Sequence, residues 1–442
     1  MVHIRSSLHT TGIRLQRCLR ALGKPRAGVP SWAAALPRAA VMVLVTAAAL
    51  VLAACSVPGS VDQPEPAEPP DTAAGAGGGE LEVQEPVVRI GIITAGDGEE
   101  ARRGVALALR RRDDRVAGIP VEVVTVAAPS NLTSLAQAVE DLISAQQVHG
   151  LIIDLDAQGA AVATSVADAA ATPSLLVGDP AGMPPPYGLS PAPPPDDQGR
   201  ALARHARQAG AGQAAVIYDV TSLSLRKLAR AFTQAFIDMG GSVPSVDAVP
   251  GSGEDAFDAL AGLLASAAER QPDVVLLALP AEAAARAVVA AAEAGLQVPI
   301  LGGAGWTGEA LAPAAQAAGM EVAYVDIFHP DRQAGETAAF VTAYRETYED
   351  EPTARAALAY DAAEMLAGAI EAAAAAGRFD AQDAAATRRA VADALQDLRE
   401  FRGATGSYTA SPESGARRSV LVVRLVPGAG QAELRLAGEI IP

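Results

Sequence analysis

From residue 87 to the C-terminus the chain switches between two hydrophobic periods. Short unbroken runs of β-branched and aliphatic residues, the pattern of strands buried on both faces, alternate with longer stretches of helical periodicity. The runs at 87–93, 121–126, 150–154 and 174–177 predict strands, separated by helices over 99–112, 132–147 and 160–171. A stretch crowded with Pro and Gly follows (179–195) and reads as a crossover between lobes. The alternation then resumes: helix 198–208, strand 214–218, helix 225–239, strand 243–249, helix 255–269, strand 273–279, helix 281–294 and strand 299–301. Such alternation predicts an α/β fold of doubly wound parallel sheets. Two such units in one chain predict two lobes, with a ligand cleft formed by loops at the carboxyl ends of the strands.

The text ahead of residue 87 is different. Residues 39–54, AAVMVLVTAAALVLAA, form an uncharged apolar run after Arg38, short for a membrane span but suited to the core of a signal peptide. The run ends in Leu52-Ala53-Ala54-Cys55, which resembles a bacterial lipobox. That resemblance implies cleavage before Cys55 and attachment of lipid to its thiol; the other reading is an uncleaved anchor helix. Residues 56–86 are rich in Pro, Gly, Ala and acids, lack apolar periodicity, and read as a disordered spacer. The expected location is the cell envelope, with the folded part outside the cytoplasm and held to a membrane by lipid.

Composition narrows the function. The 442 residues are half apolar but only 4% aromatic, so small side chains supply much of the core. The net charge is −17, and the seven basic and no acidic residues of positions 1–54 leave a balance of −24 in the remainder. A body so acidic is unsuited to sequence-independent nucleic-acid binding or to adsorption on anionic lipid. The cysteines are Cys18 and Cys55, and cleavage would leave no pair for a disulfide. Five scattered His predict no metal site and no cofactor, and no triad or nucleophile elbow points to catalysis. His149, His205 and His329 are expected to be structural, and Asn131-Leu132-Thr133 a helix cap despite its sequon form.

Three stretches carry a family resemblance. The first is Pro272-Asp273-Val274-Val275-Leu276-Leu277 with its following helix and Gly295-Leu296-Gln297-Val298-Pro299-Ile300-Leu301-Gly302-Gly303. The second is Phe340-Val341-Thr342-Ala343-Tyr344, Tyr348 and Pro352, then Ala359-Tyr360-Asp361-Ala362-Ala363. The third is Phe401-Arg402-Gly403-Ala404-Thr405-Gly406 with Tyr408 and the strand 420–425. In this order they resemble the type I periplasmic solute-binding proteins of the branched-chain amino-acid-binding (leucine/isoleucine/valine-binding) family, which feed ABC importers. The resemblance covers 87–442. It implies two lobes (about 87–195 with 330–402, and about 196–329 with 403–442), a three-crossing hinge, and closure over a ligand. The implied partners are a small polar solute and an importer permease, with the binding protein acting as a monomer.

The resemblance also locates candidate ligand groups, and there the residues depart from the family. Leu155-Asp156-Ala157-Gln158 and Gly178-Asp179 stand where relatives usually show hydroxyls, Leu223-Ser224 replaces a Tyr-Gly, and Ala304 replaces an acid. Asp156 and Asp179 would suit a cationic or hydroxyl-rich ligand, or else cap helices. Asp97, Gln158, Thr221 and Ser222 lie in the corresponding loops. Trp306 would stack on a ligand or pack within its lobe, and Tyr187 would act as a lid or pin a loop. The first loop, Gly96-Asp97-Gly98-Glu99-Glu100, places two acids where a dinucleotide phosphate would bind, which excludes that use. Two functions remain: solute capture for an ABC importer, with an amino acid suggested by family and disfavoured by the site, or an envelope lipoprotein using the fold as a regulatory or interaction module.

Overall fold

The alternating pattern folds as two separate sheets. The computed structural model describes residues 85–442 except 178–185, 251–253, 333 and 412–414. Its first part runs β1 (Val88–Thr94), α1 (Glu99–Arg110), β2 (Arg115–Val116), β3 (Ile119–Ala127), α2 (Leu132–Ser144), β4 (Gly150–Asp154), α3 (Ala157–Ala169), β5 (Ser174–Leu176) and β6 (Gly188–Leu189). The second runs α4 (Pro195–Gln208), β7 (Gln213–Asp219), α5 (Leu223–Asp238), β8 (Ser242–Val249), α6 (Glu254–Glu269), β9 (Val274–Ala278), α7 (Ala281–Glu293), β10 (Ile300–Gly302), α8 (Gly308–Ala318) and β11 (Val322–Asp326). Then come α9 (Gly335–Tyr348), α10 (Ala354–Ala375), α11 (Ala384–Gln396), β12 (Glu400–Gly403), β13 (Gly406–Ser411), β14 (Gly415–Arg418), β15 (Val420–Val426) and β16 (Glu433–Ile440).

The first sheet has the order β2-β3-β1-β4-β5-β6 and the second β16-β15-β11-β10-β9-β7-β8. The chain passes between them three times: after β6, after β11 and after α11. Both sheets carry helices on each face, as the apolar runs require. Ile90 and Ile92 face α1, α9 and α10, while Ile93 and Leu151 face α2 and α3. In the second sheet Ile217 and Leu277 pack under α6 to α8, and Val216 and Leu276 under α4 and α5. The second sheet is mixed rather than purely parallel: β15 pairs antiparallel with β11 and with β16. A hairpin, not a helical crossover, joins the last two strands, so the direction reverses.

Local chemistry sets the boundaries. Asn131 caps α2, accepting from the amides of Thr133 and Ser134. Gly104 lets α1 lie directly on α10: a Cβ there would sit 2.1 Å from the Ala356 carbonyl oxygen. The Ala-rich sequence of α10 completes that approach, with Ala356, Ala357, Ala359, Ala362 and Ala363 all buried. Tyr187 is held by Asp168, which accepts from its amide, and by the Arg389 guanidinium over its ring, so it pins the crossover. No helix among the described residues is long and apolar enough to cross a membrane.

Candidate functional site

The loops at the carboxyl edges of the two sheets hold most of the expected ligand groups, and the structure shows what each side chain already does. After β1 the chain turns through Gly96 and Gly98, both at positive φ (63° and 58°). Asp97 is exposed and accepts from the Glu99 amide at 3.3 Å, at the start of α1. After β4, Asp156 caps α3 by accepting from the Gly159 amide at 2.7 Å. Gln158 is exposed in the first turn of that helix. Asp179 lies outside the described residues, as does Cys55.

In the second sheet, buried Asp219 ends β7 and accepts from both the amide and the hydroxyl of Thr221, each at 2.7 Å. Ser222 caps α5 through the Leu225 amide. Beside these hydroxyls Val220 and Leu223 are exposed, a small apolar surface at the strand end. Trp306 points into its own lobe. Its indole N–H donates to the Leu279 carbonyl at 2.8 Å, its ring neighbours Tyr324, and it covers Gly302 so closely that a Cβ there would lie 2.3 Å from it. Of the two roles open to it in sequence, packing is the one it performs here.

One spacing in this region escaped sequence reading. Gly303-Ala304-Gly305-Trp306-Thr307-Gly308 has the form of a dinucleotide phosphate loop between a strand and a helix. Part of this loop is already engaged within the protein. The Ala304 amide donates to Gln198, Thr307 caps the Ala310 amide, and Leu228 fills the space beside Gly303.

Four further residues gather at the first sheet's edge: Thr94, Asp154, Glu100 and Arg355. Thr94 and Asp154 are the last residues of β1 and β4 and pair in register. Asp154 is 1% exposed, and its Oδ1 lies 3.4 Å from the Arg355 guanidinium, which also reaches Glu100 at 3.9 Å. Burial pushes the Asp154 carboxyl above its usual range; Arg355 opposes the shift and Glu100 adds to it. The signal in sequence was a charge closing an otherwise apolar strand, together with a lone Arg in the first turn of an Ala-rich helix. A cation is disfavoured at that helix end unless a carboxylate receives it.

Residues 91–430 match the family model for periplasmic binding proteins. The chain belongs to that family. No curated protein matches it in sequence. Among solved structures, the leucine-binding protein LivK of Thermotoga maritima is similar at 24% identity and a TM-score of 0.62, covering 80% of this chain and 99% of its own. The substrate-binding protein LivJ of Streptococcus pneumoniae, in complex with isoleucine, is 20% identical with a TM-score of 0.59, over 80% of this chain and 100% of its own. A solute-binding protein of R. palustris in complex with benzoate is 19% identical at the same TM-score, over 80% and 97%. At these identities the likeness is one of fold, the type I periplasmic binding protein architecture.

Two buried charged side chains, Asp361 and Arg332, tie the hinge of this binding protein. Asp361 of α10 is fully buried and accepts from the amides of Ala404 (2.7 Å) and Thr405 (2.8 Å) and from the Thr405 hydroxyl. Burial raises its carboxyl to about 6, the Thr405 and Ala404 donors opposing. Arg332, on the second crossing, donates to Thr337 and clasps Glu439 of β16 with two bonds. His149, by contrast, is lowered to about 4 by burial and accepts the Arg89 amide, a structural histidine between β1 and β4.

Proposed function

We propose that this chain is the capture component of an ABC importer, held to the envelope membrane by lipid on Cys55. Its two lobes (about 87–195 with 330–402, and about 196–329 with 403–442) close on a small polar solute and present it to a permease. The observation that carries this reading is the architecture: two independent α/β sheets joined by only three crossings, within a chain matching the binding-protein family over 91–430. A linkage that thin resists rotation weakly, and closure buries a solute from both sides.

The edge groups support a solute with a polar head and an apolar part. Lobe one offers Asp154, Glu100 and Arg355; lobe two offers exposed Val220 and Leu223 beside a hydroxyl-bearing turn. The isoleucine-bound and benzoate-bound relatives each hold a small molecule with a polar head and an apolar part. A thermal-shift screen of the purified full chain against amino acids, aromatic acids, amines and sugars tests the reading. Binding to the native state raises the melting temperature in proportion to the logarithm of ligand concentration. At least one compound is expected to give such a dose-dependent rise. If none does, while the protein recovers a cell-wall enzyme from envelope extracts, the interaction-module reading replaces this one.

A further inference from the structure

The edge of the first sheet contains two buried polar atoms with unmet hydrogen-bonding capacity, side by side. Along β1 the residues Ile90 and Ile92 face α1 and α10, as does Ile152 of β4. By the two-residue period of a strand, Thr94 and Asp154 continue the same face. They are the only polar members of those rows, and they are Cα partners across the sheet. Thr94 is 0% exposed, and neither its Oγ1 nor Asp154 Oδ1 has a hydrogen-bond partner. The Gly98 turn closes over Thr94, since a Cβ at Gly98 would lie 2.3 Å from the hydroxyl oxygen. Glu100 stands alongside.

What covers Asp154 is a guanidinium in loose contact. Arg355 approaches it at 3.4 and 3.5 Å and Glu100 at 3.9 Å, while its side chain remains 49% exposed. Charge-assisted hydrogen bonds close to about 2.7–2.9 Å when they are formed for their own sake. A buried carboxylate lacking such bonds is costly, and the deficit is met by a group bringing positive charge and N–H donors together.

We propose that Thr94 and Asp154 seat a protonated amine or amidine of the captured solute, and that Arg355 is an internal stand-in which the solute displaces. This rests on the solute-binding reading and adds to it the charge of the ligand's head and the lobe that receives it. Arg355 then lowers affinity for the cation, because it must leave before the cation enters.

The test uses the full chain and four probes, putrescine and agmatine as cations, 1,4-butanediol as the neutral counterpart of putrescine, and benzoate, read by thermal shift and calorimetry. At least one cation is expected to bind and butanediol not to. Asp154→Asn and Thr94→Val are each expected to weaken the cation by about tenfold or more, the loss of a bond to a charged group. Arg355→Gln is expected to strengthen it several-fold. Thr94→Val, nearly isosteric, carries the test if Asp154→Asn does not fold. Cation binding that survives both Asp154→Asn and Thr94→Val overturns the proposal, and so does cation binding lost in Arg355→Gln. Binding of benzoate with no binding of either cation overturns it while leaving solute capture standing. No binding by any probe overturns it as well, and the wider screen then decides solute capture separately.

Discussion

Asp156 shows how a side chain suited to two roles is resolved by what surrounds it. Its carboxylate accepts the Gly159 amide at the N-terminus of α3, one of the donors that a helix start leaves without an intrahelical partner. Asp156→Ala is therefore expected to lower unfolding free energy by about 1 kcal/mol, measured by denaturant titration, with solute affinity unchanged. An affinity that falls along with stability would make Asp156 a ligand group as well. Thr221 and Ser222 are likewise engaged with their own turn, and Trp306 with its own core. At the carboxyl edge of the first sheet, Thr94 and Asp154 are among the described residues that keep a buried atom without a hydrogen-bond partner, and they lie on the strands themselves, ahead of the loops that hold the family positions.

At the scale of elements, the packing of α1 on α10 fixes where that edge sits. The two helices run side by side, with Glu100 near Arg355 at one end and Arg112 bonded to Glu364 and Glu371 at the other. Gly104 is the point of closest approach. Gly104→Ala is expected to cost about 2 kcal/mol in a denaturant titration, since the backbone contact cannot yield without separating the helices; a change within 0.5 kcal/mol would show that α10 shifts freely. Most strands and helices up to residue 302 were legible because each carries one clear period; the two-residue strands β2 and β6 are too short to show one. The elements α8 and α11 were not read from the pattern; in α8, Pro313 inside the helix speaks against one. The small β12-β13-β14 sheet was also hidden, because it is set by the hinge contacts of Asp361 and not by its own pattern.

For the whole molecule, the two-sheet architecture followed from alternation, and the antiparallel end of the second sheet did not, since period alone does not give strand direction. The site was legible only in outline: its loops followed from the carboxyl-edge rule, while its chemistry depended on which atoms remained unpaired after folding. In the proposed function the lobes form a clamp which closes on a solute. Small-angle X-ray scattering on the full chain, with and without a saturating compound that raises its melting temperature, measures that movement directly. A reduced radius of gyration on binding is the expected result. An unchanged radius with the compound demonstrably bound would contradict the clamp.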